Sequence, residues 1–283
     1  MARMRYSTSI AILAIALLCG ASAHGAKTNA FDTNTLSFPG TPLEQARALL
    51  RPVLRYGELA APLNPLPAPL EILIGQPVDV KLTALQAYLK AHNIAETDIG
   101  GPLTNHCGAK YFVIHDTSTP NYGDAPIPTN INMTAWSGNN LSRWTNGTKG
   151  AVAHAFVNRL GESITPHPFA TPWRATKLEV RVLGEKGRGL FVHTELIQPR
   201  QRDPQGGAKN DALSPDPGFS DAQYERLALL YVSASLQHGT WLIPGYHAAV
   251  DAGIPDGHDD PQSFDLARWG RKLDALLGEL KTE

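Results

Sequence analysis

The chain has 283 residues, of which 42% are hydrophobic and 18% charged, and its formal net charge is -1. This length allows one large domain, or one domain with an additional N-terminal segment, and the apolar content is sufficient for a sizeable core. The near-neutral charge excludes the broadly basic surface that binding to nucleic acid or to an anionic membrane requires.

The N-terminus has the features of an export signal. Two arginines precede an apolar stretch over residues 10–18, and the small-x-small sequence Ala21-Ser-Ala23 follows it. The stretch is too short to span a membrane, and Leu18 before Cys19 is larger than the residue that lipoprotein signals carry there. We therefore predict a cleaved signal peptide over residues 1–23 and an exported protein, periplasmic or secreted, without a transmembrane segment.

Residues 24–107 form a predicted N-terminal extension. A Thr41-Pro42 start followed by apolar residues at helical spacing predicts a helix over residues 43–54. A proline-dense linker over residues 61–69 separates it from a second short helix predicted over residues 80–91. We expect this extension either to pack on the main domain or to cover its cleft.

The main domain, over residues 108–283, opens with an apolar stretch that predicts a buried central strand. Residues 111–115 end in His115, so the strand places a histidine at its carboxyl end, where a sheet opens to solvent. Strands and helices mixed at these spacings predict an α/β or α+β domain with a central mixed β-sheet flanked by helices. The further predicted strands cover residues 151–158, 162–164, 178–183 and 190–197, and the predicted helices cover residues 220–237 and 266–280.

Two tryptophans lie in the long loop after the first strand. Long loops inside a compact domain are usually functional, so Trp136 and Trp144 are candidate substrate contacts at the rim of a sugar or peptide site. The alternative is that both indoles anchor the loop to the core.

Histidines and carboxylates recur where the predicted elements end. The candidates are His115, Glu195, His247 and the neighbouring pair His258 and Asp260. Two histidines and one oxygen ligand from separate elements are a common ligand set for catalytic zinc, with the fourth position left to water. The candidates are scattered along the chain, unlike the compact spacing of the HExxH motif.

Two motifs resemble those of a known enzyme family. Val113-Ile-His-Asp-Thr-Ser118 and Asp260-Pro-Gln-Ser-Phe-Asp-Leu-Ala-Arg-Trp269 resemble the opening and closing motifs of zinc-dependent N-acetylmuramoyl-L-alanine amidases, in the type-2 amidase and peptidoglycan recognition protein superfamily. The resemblance covers roughly residues 108–278. It implies an amidase-like fold and one Zn²⁺ ion bound by His115, His247 and Asp260. It also implies hydrolysis of the amide between N-acetylmuramic acid and L-alanine in peptidoglycan or muropeptides.

The same resemblance implies the catalytic roles. Val192-His-Thr-Glu-Leu196 is similar to the strand that carries the family's catalytic glutamate, so Glu195 is the predicted general base. His258 stands where the family often has a lysine that stabilises the oxyanion, and we predict that role for it. The alternative is that His258, rather than Asp260, is the third metal ligand.

One segment departs from the family pattern. Ala153-His-Ala-Phe-Val-Asn-Arg-Leu-Gly161 resembles a strand and turn of the family, but Ala153 stands where some members have a catalytic tyrosine. This leaves proton transfer to Glu195, and it makes His154 either a structural residue or a substrate contact. Two other functions stay open, namely a non-catalytic peptidoglycan-binding module and a zinc hydrolase of a different amide.

Overall fold

The computed structural model describes residues 31–145, 152–206 and 212–282. The signal peptide predicted over residues 1–23 lies outside the described residues, and so does Ala151 at the start of one predicted strand.

From residue 111 onward the chain contains all of the strands and three of the α-helices that the structure describes. The strands are β1 (Tyr111–Asp116), β2 (Ala155–Val157), β3 (Ser163–Ile164), β4 (Phe191–Leu196), β5 (Gln201–Arg202), β6 (Ala212–Leu213) and β7 (Ile243–Tyr246). The α-helices are α1 (Pro42–Leu49), α2 (Ala68–Leu73), α3 (Leu82–Ala91), α4 (Asp221–His238), α5 (His247–Val250) and α6 (Leu266–Thr282). Short 3₁₀ turns cover Arg55–Gly57, Glu96–Asp98, Ser137–Asn139, Leu141–Trp144 and Gly184–Gly187, and a π-helical turn covers Leu178–Leu183.

A five-stranded mixed sheet forms the centre of the fold, with the strand order β3-β2-β4-β1-β7. Strand β1 is buried along its whole length and pairs in parallel with β4 on one side and β7 on the other. Strand β2 extends the parallel part beyond β4, and β3 is an antiparallel edge strand. An unbroken apolar run is what a parallel strand covered on both faces requires. The predicted central mixed sheet flanked by helices is therefore confirmed.

The helices begin where local side-chain chemistry favours a start. Thr41 and Glu44 form a capping box at α1, and Ser220 and Gln223 form another at α4. Helix α1 ends at Leu49 rather than at residue 54, because Pro52 lacks an N–H and disfavours helical backbone in the residue before it.

The strand predicted over residues 178–183 is wrong. The alternation of apolar residues there is typical of a strand, yet Val180 and Val182 are 57% and 51% exposed and pack on no sheet. The Asp251 carboxylate accepts hydrogen bonds from the backbone N–H of Lys177 and Leu178, and this carboxylate holds the segment in a helical turn.

The N-terminal extension packs into the same hydrophobic core as the sheet. Leu49 of α1 is fully buried against β7, and a Cβ at Gly245 would lie 2.9 Å from Leu49 Cβ. On the other elements, Tyr231 of α4 contacts both Phe112 of β1 and Trp269 of α6. Cys107 is a buried free thiol. Among the residues that the structure describes, no helix combines the length and apolarity needed to cross a membrane.

We expect Leu49→Ala to lower the free energy of unfolding by about 2–5 kcal/mol, because the substitution leaves a cavity between α1 and β7. Chemical denaturation of the purified protein measures the change. Leu54→Ala is the matched control, since Leu54 is 46% exposed and its truncation should change stability by less than about 0.5 kcal/mol. Equal effects of the two substitutions would show that the extension does not contribute to the core.

Candidate metal centre

The parallel register brings three chemically active residues to one edge of the sheet. His115 on β1 pairs with Glu195 on β4, and Ile114 pairs with Tyr246 on β7. His247 follows Tyr246 directly and therefore emerges beside His115. Since parallel strands all end at the same edge, residues far apart in the sequence meet there.

Three buried side chains at this edge could hold a metal ion. His115, His247 and Asp260 each offer one ligand atom, and these atoms all lie within 4.8 Å of one another. The two Nδ1 atoms are 2.8 Å apart, and His247 Nδ1 is 3.0 Å from Asp260 Oδ1. The third pair, His115 Nδ1 and Asp260 Oδ2, is separated by 3.9 Å. Ligands bonded at about 2.0–2.2 Å to a tetrahedral ion lie about 3.3 Å apart, and the two separations measured from His247 Nδ1 are close to that value.

Asp260 is held in place through the backbone. Its Oδ2 accepts the N–H of Asp116 at 2.9 Å, and its carbonyl oxygen accepts the N–H of Ala248. These bonds join the loop before α6 to the ends of β1 and β7. The neighbouring Asp116 carboxylate is paired with Arg200 at 2.6 Å, in a buried ion pair.

A second carboxylate lies behind His247. Asp251 Oδ2 is 3.1 Å from His247 Nε2, close enough to attract its proton although the contact falls short of hydrogen-bond alignment. The same oxygen is 3.2 Å from His258 Nδ1. A carboxylate behind a ligand imidazole fixes the ring orientation and leaves the opposite nitrogen as the electron-pair donor.

The electrostatics of the site favour a cation between the ligand atoms. Burial opposes a charge on His247, but the carboxylates of Asp260 and Asp251 outweigh burial and raise the pKa of His247 to about 10. Burial, together with the charge of His247, holds the pKa of His115 well below its ordinary value. The two carboxylates thus favour a positive charge on His247, beside the space that a metal cation would occupy. Three carboxylates, those of Asp260, Asp251 and Glu195, lie around this point, which fits a divalent ion.

Glu195 faces the same space without being one of the three ligands. Its Oε1 is 3.9 Å from His115 Nδ1, and its buried Oε2 has no hydrogen-bond partner in the described part of the chain. Burial raises the pKa of Glu195 well above its ordinary value, and the nearby carboxylates of Asp260 and Asp116 add to the effect. A carboxyl group in this environment takes up a proton more readily than an exposed glutamate does.

A cleft of about 930 Å³ opens over these residues. Glu195, His247 and Asp260 lie on its floor, and this volume is typical of small-molecule and peptide sites. Its walls include stacked rings of His167 and Trp173, whose centroids are 3.8 Å apart. Three basic side chains also line it: Arg174, Lys177 and Arg181.

His258 lies at the edge of the cleft and is not part of the ligand group formed by His115, His247 and Asp260. Its side chain is 43% exposed, and its ring stacks on His247 with a centroid distance of 4.0 Å. Of the two alternatives for the third ligand, this geometry favours Asp260. His258 does belong to a second group of convergent atoms with His247 and Asp251.

The three candidate substrate contacts do not line the cleft. Trp136 and Trp144 are 4% and 9% exposed and lie in a small hydrophobic cluster with Phe156. This placement supports the alternative that the indoles anchor the loop. His154 is also buried, accepts the N–H of His193 at Nδ1 and contacts the carbonyl of Thr171 through Nε2, as a structural residue would.

Sequence reasoning missed several residues of the site. Asp251 stands four residues after His247, and that spacing on a helix could have signalled the pair. Trp173, the tryptophan that does line the cleft, has no local signal. Glu179 was hidden by the strand-like pattern around it, and it contacts His193, which in turn contacts His115.

No protein-family model matches the chain, and comparisons with curated proteins and with solved structures find no match either.

We expect the purified protein to bind one divalent transition-metal ion, and we expect His115→Ala or Asp260→Ala to abolish stoichiometric binding because each removes one of three ligands. Elemental analysis measures the number of ions bound per chain, and competition with a chromophoric chelator measures the affinity. His106→Ala, at an exposed imidazole, is the control. Tight stoichiometric binding by His115→Ala would place the ion elsewhere.

Metal affinity should rise with pH. Because its raised pKa keeps His247 protonated up to about pH 10, an ion that binds Nδ1 must displace one proton at neutral pH. The apparent affinity should therefore increase about tenfold per unit between roughly pH 6 and 8. Chelator competition at each pH measures the slope, and an affinity independent of pH would contradict the assignment of His247.

Proposed function

We propose that this protein is an exported, zinc-dependent amidase that hydrolyses the bond between N-acetylmuramic acid and L-alanine in peptidoglycan or muropeptides. One observation carries the proposal: Glu195, with a buried and unpartnered carboxylate oxygen, lies in a cleft beside three convergent metal-ligand atoms. A metal ligand set alone is compatible with a structural site. A catalytic metal site also needs a group that transfers protons in the same space, and Glu195 is such a group.

The donor atoms support zinc as the ion. Two imidazole nitrogens and one carboxylate oxygen, with the fourth position open to a cleft, match the ligand sets of catalytic zinc sites. His115, His247 and Asp260 would hold the ion, and Asp251 would orient His247. When bound, zinc supplies a Lewis acid for a carbonyl oxygen and lowers the pKa of a bound water to about 7.

Glu195 is proposed to carry the proton. In the hydrolysis, the carbonyl carbon gains the hydroxyl of water, the C–N bond breaks, and the departing nitrogen gains the proton. The raised pKa of Glu195 suits a group that accepts that proton from water and then releases it to the amine. His258, at the cleft edge, is proposed to donate to the developing oxyanion.

The cleft walls support a substrate that combines sugar and anionic peptide. The stacked pair of His167 and Trp173 offers an aromatic face, a surface on which the apolar face of a sugar ring can pack. Arg174 and Lys177 place positive charge beside it, which complements the carboxylates of a stem peptide.

Two parts of the proposal, the scissile amide bond and the export of the protein, depend on the sequence motifs. The motifs around His115 and Asp260 resemble the type-2 amidases, and the predicted signal peptide would deliver the enzyme to the compartment that contains the cell wall. Digestion of purified sacculi with the zinc-loaded protein, followed by mass spectrometry, tests the proposal directly. Release of free stem peptides supports it. Binding to sacculi without release would identify a recognition module, and cleavage only of unrelated amides would identify a different zinc hydrolase.

We expect Glu195→Gln to lower the rate of amide hydrolysis by about 10²–10⁴-fold while the zinc content stays at one ion, because the amide keeps the side-chain volume but cannot accept the proton. Rates on muropeptide and elemental analysis of the same sample provide the measurement. Glu225→Gln, at an exposed position on α4, is the control. Activity retained in Glu195→Gln would remove the proton-transfer role from this residue.

A further inference from the structure

Three buried side chains, His115, His193 and Glu179, form a hydrogen-bonded chain that starts at His115 Nε2, the ring nitrogen that faces away from His247. His115 Nε2 is 3.1 Å from His193 Nδ1, and His193 Nε2 is 3.1 and 3.3 Å from the two carboxylate oxygens of Glu179. His193 and Glu179 are fully buried, and His115 is 1% exposed. His193 stands two residues before Glu195 on β4, so both side chains project from the same face of the sheet.

Glu179 can act only as an acceptor in this chain. Its Oε2 already accepts the backbone N–H of Thr176 and of Ala175, and the Thr176 hydroxyl donates to it at 2.8 Å. Within residues 31–145, 152–206 and 212–282, no lysine or arginine pairs with this carboxylate, and its ionisable partner is His193. A buried carboxylate held in this way needs a donor from the imidazole that it faces.

The direction of the hydrogen bonds then follows along the chain. With its Nε2–H donated to Glu179, a neutral His193 has a lone pair at Nδ1. His115 Nε2 must therefore carry the proton and donate it to His193. The remaining nitrogen, His115 Nδ1, presents a lone pair toward His247 and Asp260.

We propose that Glu179 and His193 are positioning residues that fix His115 in the tautomer protonated at Nε2, so that Nδ1 is available as a metal ligand. This inference rests on the metal-binding part of the proposed function and not on the amide that is cleaved. The positioning role also accounts for the two different routes by which a carboxylate reaches each candidate ligand histidine. His247 lies at the start of a helix and reaches Asp251 four residues on, whereas His115 ends a strand and receives its carboxylate through the neighbouring strand.

The substitution Glu179→Gln tests the direction of the chain with little change in shape. The glutamine oxygen can still accept from Thr176, but its amide group then presents N–H to His193 Nε2. His193 must then present a lone pair at Nε2, so its proton moves to Nδ1. The Nε2–H of His115 then faces a second donor instead of an acceptor, and the ring loses the hydrogen bond that orients it. We expect a metal affinity about 10–100-fold lower than in the natural protein. Glu185→Gln, at an exposed carboxylate on the following turn, should leave the affinity unchanged.

The tautomers can be read directly by ¹H–¹⁵N correlation spectra of the histidine rings in the metal-free protein. We expect His115 and His193 both to be protonated at Nε2 in the natural protein, and we expect the proton of His193 to move to Nδ1 in Glu179→Gln. A proton on His115 Nδ1 in the natural protein overturns the inference, whether or not the variant folds. Unchanged tautomer and metal affinity in a folded Glu179→Gln also overturn it.

These outcomes are separable from those of the proposed function. A protein that binds zinc, shows the Nε2–H tautomer of His115 and leaves sacculi intact would contradict the amidase and support the positioning role. A protein that cleaves sacculi while His115 carries Nδ1–H would support the amidase and contradict the positioning role.

Discussion

The Nδ1 atoms of His115 and His247 lie 2.8 Å apart in the protein interior, and the surrounding residues are arranged about that contact. Two imidazole lone pairs cannot face each other at this distance in a low-dielectric interior without a cation between them. A proton on His247, which the carboxylates of Asp260 and Asp251 favour by raising its pKa, can fill that place, and so can a metal ion. The Asp260 oxygen beside them makes the metal the better complement, because it adds a third ligand and a negative charge.

The fold holds this contact from several directions. The parallel pairing of β1 with β4 and β7 sets the two histidines and Glu195 side by side. Helix α1 of the N-terminal extension packs on β7 through Leu49, at a point where Gly245 allows the backbone to approach closely. The extension therefore supports β7, the strand that leads directly into the candidate ligand His247, and it does so through the core that it shares with the sheet.

Carboxylates lie at three distances from the candidate ligand atoms. Asp260 touches the ligand space, Asp251 lies one imidazole farther out behind His247, and Glu179 lies two imidazoles out behind His193 and His115. Asp251 faces Nε2 of His247, and Glu179 faces Nε2 of His193. Their negative charges therefore act on the candidate metal site without contacting it. Such an arrangement stabilises a dication and at the same time fixes which nitrogen of each ring is free to bind it.

The sequence by itself determined the features that depend on neighbours in the chain: the apolar run of β1 that ends in His115, the capping boxes of α1 and α4, and the local motif around Asp260. Only the tertiary structure decided which side chains meet. His115 and His247 are 132 residues apart and come together through strand register. The turn over Leu178–Leu183 is helical because Asp251 caps it from 73 residues away, and this contact lies beyond what local periodicity can encode. In the same way, the packing of distant elements placed Trp136 in a core and Trp173 in the cleft, since burial depends on what covers a residue.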